Sequence, residues 1–312
     1  MPLGSPFLLE NIGERLKIRY AHYLESLTDD MNQILRKELI APEVFCYVVH
    51  SPEIARRRKP GQFVILHLSE AGERFPLTIA DADSGAGTIT LIFQRVGKST
   101  AALARLDEGD CIRDLAGPLG NPTHIERFGH VVCVGGGVGT APLLPMARAL
   151  KEAGNRITSI IGGRSKEYVI LRTEFEAVSE RVIYSTDDGS FGVHGFTSDV
   201  LRSLLEKGEH IDAVVAVGPV PVMKAISDLT RPYAIRTIVS LNPIMVDGTG
   251  MCGGCRVTVG GKTKFTCVDG PEFDAHQVDF AELMKRQRLY LKEESTSMER
   301  HSPEECKLGI RK

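Results

Sequence analysis

The chain has 312 residues, with 38 Lys+Arg against 40 Asp+Glu, a formal charge of −2, and 42% hydrophobic residues. So balanced a charge gives no global attraction to nucleic acid or an anionic membrane, and no apolar run approaches the roughly 20 residues of a spanning helix. At about 150 residues per domain the length suits two domains, or two large ones and a small one, and an odd count of seven cysteines argues against a disulfide framework.

The opening MPLGSPFLLENIGERLKIRY has a short apolar patch without a basic leader, so no secretory signal is expected and the cytoplasm is the default. Residues 1–30 read as a helical extension, because Leu8, Leu9, Ile12 and Leu16 recur at helical spacing. Residues 31–125 carry short runs rich in Val, Ile, Phe and Thr (EVFCYVV, GQFVILHL, PLTIA, TITLIFQRV), broken by prolines and the DADSGAG turn. No long helix separates them, so they predict a small antiparallel β-barrel. Residues 126–240 alternate five apolar strands with helices, from HVVCVGGG to IRTIVSL, which predicts a five-stranded parallel sheet with helices on both faces. Residues 241–285 hold three cysteines and many glycines but little apolar material, and such a segment needs a metal or a neighbour to hold it. Residues 286–312 are polar and read as a mobile tail, with Cys306 incidental.

The cysteines are the most informative feature. Cys252 and Cys255 stand two residues apart, and Cys267 follows after eleven more. Zinc takes four thiolates, or three and a histidine, and His276 lies nine residues beyond Cys267. A 2Fe–2S cluster of plant type has the spacing C-x4-C-x2-C followed by a distant cysteine. Asp247, four residues before Cys252, completes that spacing with a carboxylate in the first place. The spacing favours iron–sulfur over zinc, whose ribbons offer a second CxxC pair, and over free structural thiols.

Three further motifs suit anionic ligands. CVGGGVGTAP (133–142) follows a strand and opens a helix, where exposed N–H groups bind phosphate. It is not the dinucleotide fingerprint, since Thr140 or Pro142 stands at the third glycine position. RFPLT (74–78) and VGKST (96–100) close barrel strands and offer hydroxyls, amides and a cation. STDDGSFG (185–192) and VGPVPVM (217–223) end the third and fourth parallel strands, the edge where such sheets bind ligands. Capping and turn formation account equally well for Asp187 and Asp188.

In order and motif the chain resembles the ferredoxin–NADP reductase-like flavoproteins. Over about residues 31–285 it is similar to the electron-transfer subunits of dihydroorotate dehydrogenase and sulfide dehydrogenase. It looks most like the small subunit of the NADH-dependent reduced ferredoxin:NADP oxidoreductase, an electron-bifurcating complex. In that small subunit an aspartate replaces one cluster cysteine, as Asp247 would here, whereas the dihydroorotate dehydrogenase subunit uses four cysteines. The resemblance implies FAD on Arg74, Pro76, Leu77 and Thr78, on Ile92, Phe93 and Gln94, and on the pyrophosphate loop Gly97, Ser99 and Thr100. The wider family has arginine three residues before the hydroxyl; here Phe75 holds that place and Arg74 lies one earlier, which puts the role of Arg74 in question. It implies pyridine nucleotide on Gly135, Gly136, Gly137, Gly139 and Pro142, with Asp187, Asp188, Gly218, Pro219 and Met223 nearby, and a 2Fe–2S cluster on Asp247, Cys252, Cys255 and Cys267. The activity implied is hydride transfer between NAD(H) and FAD, then single electrons through the cluster to or from a larger flavin and iron–sulfur subunit, with ferredoxin reached through it. Arg164, Ser165 and Lys166 after the second sheet strand leave NADP(H) open. The rival readings are an electron-transfer subunit of dihydroorotate or sulfide dehydrogenase, a stand-alone flavin reductase whose cluster serves soluble carriers, and a non-catalytic zinc-binding nucleotide sensor.

Overall fold

The computed structural model describes residues 31–300. The expected extension at 1–30 and residues 301–312 of the tail lie outside the described residues.

The Val- and Ile-rich runs form β1 (Ile34–Ala41), β2 (Val44–His50), β3 (Phe63–His67), β4 (Arg74–Asp83), β5 (Thr88–Gln94) and β6 (Asp114–Leu119). They pair antiparallel in the order β1-β2-β5-β4-β3-β6. The two ends of this sheet curl together: Ile34 N–H donates to the Asp110 carbonyl at 2.9 Å, and Gly109 N–H to the Ile34 carbonyl at 2.8 Å, just before β6. Ile34, Tyr47, Leu66, Ile79, Leu91 and Phe93 fill the interior, each worth roughly 1.5–3 kcal/mol of burial. The Tyr47 ring meets Phe93 edge-on at 5.1 Å, and its hydroxyl lies 2.9 Å from the Leu103 and Leu106 carbonyl oxygens, so the phenol is buried without an orphaned group. Two short helices, α1 (Pro52–Arg57) and α2 (Lys98–Leu103), complete this part.

The second half is a seven-stranded sheet. Its strands are β7 (His130–Gly136), β8 (Arg156–Gly163), β9 (Arg181–Thr186), β10 (Val193–His194), β11 (Ala213–Val217), β12 (Arg236–Ser240) and β15 (Glu272–Asp274), in the order β10-β9-β8-β7-β11-β12-β15. The five expected strands are parallel neighbours. Two strands extend the sheet beyond five. β10 has two residues, too short for any periodicity, and β15 arrives antiparallel from the cysteine-bearing segment. Helices α3 (Thr140–Glu152) and α4 (Arg172–Val178) bury Leu143, Met146 and Phe175 on one face. Helices α5 (Thr197–Glu206) and α6 (Val220–Thr230) bury Leu201, Met223 and Ile226 on the other. Arg58, after α1, and Arg148, on α3, both reach the Asp81 carboxylate on β4, at 3.2 and 2.7 Å, and tie the two sheets together.

The C-terminal segment folds as a hairpin, β13 (Arg256–Val259) and β14 (Lys262–Phe265), then α7 (Thr266–Asp269), β15, α8 (Phe280–Gln287) and α9 (Leu291–Arg300). Of the segment 286–312 expected as a polar tail, the described part ends in a helix over Leu291–Arg300. No helix among the described residues is long and apolar enough to cross a membrane.

Candidate functional site

The order of the parallel sheet reverses between β7 and β11, so the loops at their carboxyl ends part there and leave a crevice. The loop after β7 is Gly136, a 3-10 turn over Gly137–Gly139, and the start of α3; the loop after β11 is Gly218 and Pro219. They meet backbone to backbone. A Cβ on Gly139 would stand 2.7 Å from Gly218 Cα and 2.8 Å from the Val217 carbonyl oxygen. Gly137 has φ +58°, a conformation open to glycine at little cost, and its outer side faces free space.

A cavity of about 660 Å³ lies between this crevice and the antiparallel sheet. From the parallel sheet it is lined by Gly136, Gly137, Gly139, Pro142, Gly218 and Pro219. From the antiparallel sheet come Pro76, Leu77 and Thr78 on β4, Ile92, Phe93 and Gln94 at the end of β5, and Thr100 on α2. Residues 36 to 143 positions apart in the chain therefore share one wall-to-wall space. Gly97 and Ser99 line an adjoining cavity instead, and Ser99 Oγ donates to the Glu73 carboxylate at 2.6 Å.

Five residues expected at the flavin or the nucleotide line neither cavity. Arg74 is exposed at the start of β4. Met223 is fully buried in the core beneath α6, so its role is packing. Asp187 and Asp188 sit exposed in the turn after β9 and line no part of the cavity. Asp188 accepts from Ser190 Oγ at 2.6 Å and Ser190 N–H at 2.9 Å, which holds its pKa below the ordinary carboxylate value. These are turn contacts. Gly135 lies one residue inside the strand, where a Cβ would press on Thr140 and Leu143 at about 3 Å. The sequence reading missed Phe63, Ser240, Asn242 and Met245, which also line the cavity. They belong to the start of β3, the end of β12 and the segment after it, and carry no motif.

The cysteine loop stands against the same wall. Met245, Cys255 and Cys267 pack in one apolar cluster with Phe63 and Ile65 of β3, with Leu119 and Phe265 at its edge. Gly248 has φ +73°, and a Cβ there would come within 2.7 Å of Leu119 and 2.8 Å of Ile65, so glycine lets the loop lie directly on β3 and β6. The four expected ligands form two pairs. Asp247 accepts from Thr249 N–H at 2.9 Å and from Cys252 N–H at 2.7 Å, with the Cys252 thiol also in reach; these bonds hold its carboxyl below the usual range. Cys255 Sγ and Cys267 Sγ lie 3.2 Å apart. Backbone N–H groups of Gly254 and Cys267 point at Cys252 Sγ and Cys255 Sγ, each at 3.4 Å. Burial pushes the Cys267 thiol up to about 12, a penalty that a coordinated cation reverses. Among the described residues no three His, Cys, Asp or Glu side chains converge on a single-ion site. His276 is turned elsewhere, its Nε2 3.0 Å from Thr230 Oγ1. Three sulfurs and a carboxylate, paired two and two, fit a dinuclear cluster better than one tetrahedral ion.

Comparison with known proteins agrees with this geometry. Residues 242–279 match the iron–sulfur cluster binding domain of dihydroorotate dehydrogenase B. The dihydroorotate dehydrogenase B (NAD(+)) electron transfer subunit homolog of Thermotoga maritima is 49% identical over 270 residues, 86% of this chain and 95% of that protein. The dihydroorotate dehydrogenase B (NAD(+)) electron transfer subunit of Geobacillus thermodenitrificans is 33% identical over 254 residues, 78% of this chain and 96% of that one. A solved chain of an NADH-dependent reduced ferredoxin-NADP oxidoreductase, studied for flavin-based electron bifurcation, superposes with a TM-score of 0.82 at 48% identity, over 86% of this chain and 97% of its own. With such identity across most of both chains, this protein belongs to the family of dihydroorotate dehydrogenase B electron-transfer subunits and their homologues, oxidoreductase subunits of ferredoxin-reductase-like fold with a C-terminal iron–sulfur domain.

Proposed function

We propose that the chain is the electron-transfer subunit of a heteromeric oxidoreductase of the bifurcating ferredoxin-NADP type, carrying FAD, a 2Fe–2S cluster and a site for NAD(H). Pro76–Thr78 and Ile92–Gln94 would hold the flavin ring, and Gly97, Ser99 and Thr100 its pyrophosphate. Gly136, Gly137, Gly139, Pro142, Gly218 and Pro219 would hold the nicotinamide dinucleotide, and Asp247, Cys252, Cys255 and Cys267 the cluster. Residues 31–125, 126–240 and 241–285 thus divide the work among flavin, nucleotide and cluster. When bound, these groups supply hydride exchange between nicotinamide and flavin and one-electron exchange at the cluster. The chain itself aligns the two rings from opposite walls and excludes water, and it needs no acid or base there. Cys46, Cys133, Cys252, Cys255 and Cys267 are free thiols, which suits a reducing compartment, the cytoplasm.

One observation carries this reading: the cavity where both expected dinucleotide motifs meet shares Phe63 and Met245 with the apolar cluster around Cys255 and Cys267. Such a wall suits passage of electrons to a cluster facing a larger partner subunit. The branch is supported by Asp247 in the first ligand position. Identity to the ferredoxin-NADP oxidoreductase chain, 48%, is consistent with this branch, and the 49% identity to the Thermotoga protein named as a dihydroorotate dehydrogenase B subunit homolog makes that branch the second reading. Anaerobic purification tests it: flavin absorbance and about two irons per chain are expected, with NADH bleaching the flavin faster than NADPH. Stoichiometric zinc without iron would refute the cluster, and the reverse nucleotide order would refute NAD(H). Co-purification should recover the larger flavin and iron–sulfur subunit.

A further inference from the structure

A second cavity, of about 640 Å³, opens beside the first and shares Val96 and Thr100 with it. One wall is Glu73, Phe75 and the loop through Thr100; the other is the C-terminal helix α9. Leu291, Glu294, Ser295 and Met298 of α9 line it, at i, i+3, i+4 and i+7, so one face of the helix is turned inward. The apolar members of that face are barely buried against protein: Leu291 is 54% exposed and Met298 44%, and Val96 across the gap is 75% exposed. Three apolar side chains are therefore arranged around a space that the described residues leave open. Within the same space stand the carboxylates of Glu73, Glu294 and Glu299, the Ser295 hydroxyl and the single ammonium of Lys98.

We infer that α9 is the far wall of the adenosine half of the FAD site. The inference rests on the proposed flavin site and extends it. A flavin ring in the first cavity, with its pyrophosphate on the Gly97–Thr100 loop, must send the adenosine past Thr100, and the cavity that continues there is this one. Its chemistry suits adenosine. Leu291, Met298 and Val96 offer apolar contact to a flat purine, with the Met298 thioether favourable toward an aromatic ring. Glu294 and Ser295 offer acceptors for ribose hydroxyls, as a carboxylate does in other dinucleotide sites. Lys98, beside Gly97 and Ser99 in the same lining, offers a cation to a phosphate. On this inference α9 favours FAD over FMN.

The test is flavin binding to the flavin-stripped full chain, followed by flavin fluorescence, for wild type and for the double variant Leu291→Ser, Met298→Ser. FAD affinity should fall about tenfold or more in the variant, since two apolar contacts are lost, while FMN affinity stays within twofold of wild type. FMN binding also reports that the antiparallel sheet is folded. Unchanged FAD affinity, or equal losses for FAD and FMN, would overturn the role of α9 and leave the flavin site standing. Wild-type chain binding neither flavin would instead overturn the proposed function. Should the double variant fail to fold, Met298→Ser alone is read against the same criteria.

Discussion

Gly139 sets how closely the two loops of the crevice approach, and Gly139→Ala measures that closeness. The added methyl would stand 2.7 Å from Gly218 Cα and 2.8 Å from the Val217 carbonyl oxygen, both main-chain atoms that no rotamer change can move. Conformation is not at issue, because Gly139 has φ −62°, which alanine adopts readily. Alanine even narrows the unfolded ensemble, a gain of about 0.4–1 kcal/mol. The overlap outweighs it: relieving such a contact in packed structure costs about 1–3 kcal/mol, so net destabilisation is expected. The relief must come from parting the β7 and β11 loops, which would also weaken NADH binding. Gly137→Ala separates the causes. Nothing lies within 4 Å of its Cβ position, but its φ of +58° costs an L-residue about 1–2 kcal/mol. Calorimetry of both variants, with NADH titration of the flavin-loaded chain, reads the two effects. A Gly139→Ala protein with wild-type melting temperature and wild-type Kd for NADH would refute the argument.

Asp247→Cys should keep a cluster but change its EPR signature and midpoint potential; identical spectra would remove Asp247 from the ligand set. Glu272 accepts from Thr123 Oγ1 at 2.6 Å, and burial raises its pKa from 4.5 to about 7. Its unfolded form therefore ionises first, and stability contributed by its protonated state is lost as pH rises from about 4.5 to 7, by up to about 3 kcal/mol. Glu272→Gln should flatten that part of the pH profile of unfolding, and an unaltered slope would count against it. Asp81→Ala leaves Arg58, whose side chain is 13% exposed, without its carboxylate, and should cost about 1–3 kcal/mol in chemical denaturation; a change under 0.5 kcal/mol would show that the bridge between the sheets contributes little.

Legibility in the sequence followed the strength of local signals. The parallel strands are continuous apolar runs between glycines, and each of the five stands where those runs are. β15 was hidden because EFD has one apolar residue and takes its place by pairing with β12, a contact between residues 32 or more positions apart. The glycine motifs announced the crevice because close backbone approach leaves a compositional trace at Gly139 and Gly218. Phe63 and Met245 left none, since an apolar residue facing a cavity looks like any core residue. Asp187 and Asp188 had two readings in sequence, and the hydrogen bonds of Asp188 to Ser190 follow the turn reading. Met223 sat in a motif by adjacency and packs in the core because α6 turns it inward. Helix α9 was masked by polarity: its inward stripe is only Leu291 and Met298 among charged neighbours.

The site also explains why so glycine-rich a segment can be ordered. Residues 241–287 bury little apolar surface of their own, yet three attachments hold them. β15 adds to the parallel sheet beside β12, α8 buries Leu283 in that sheet's core, and Met245, Cys255 and Cys267 pack on β3. The first two anchor the segment to the nucleotide side of the cavity and the third to the flavin side. Because Gly248 rests directly on Ile65 and Leu119, the cysteine loop cannot separate from β3 and β6 without exposing Phe63 and Met245, which also wall the cavity. The contacts that order the loop are therefore the ones that keep it next to the proposed flavin. An apolar-to-polar change at Met245 should loosen both together, because one side chain serves both.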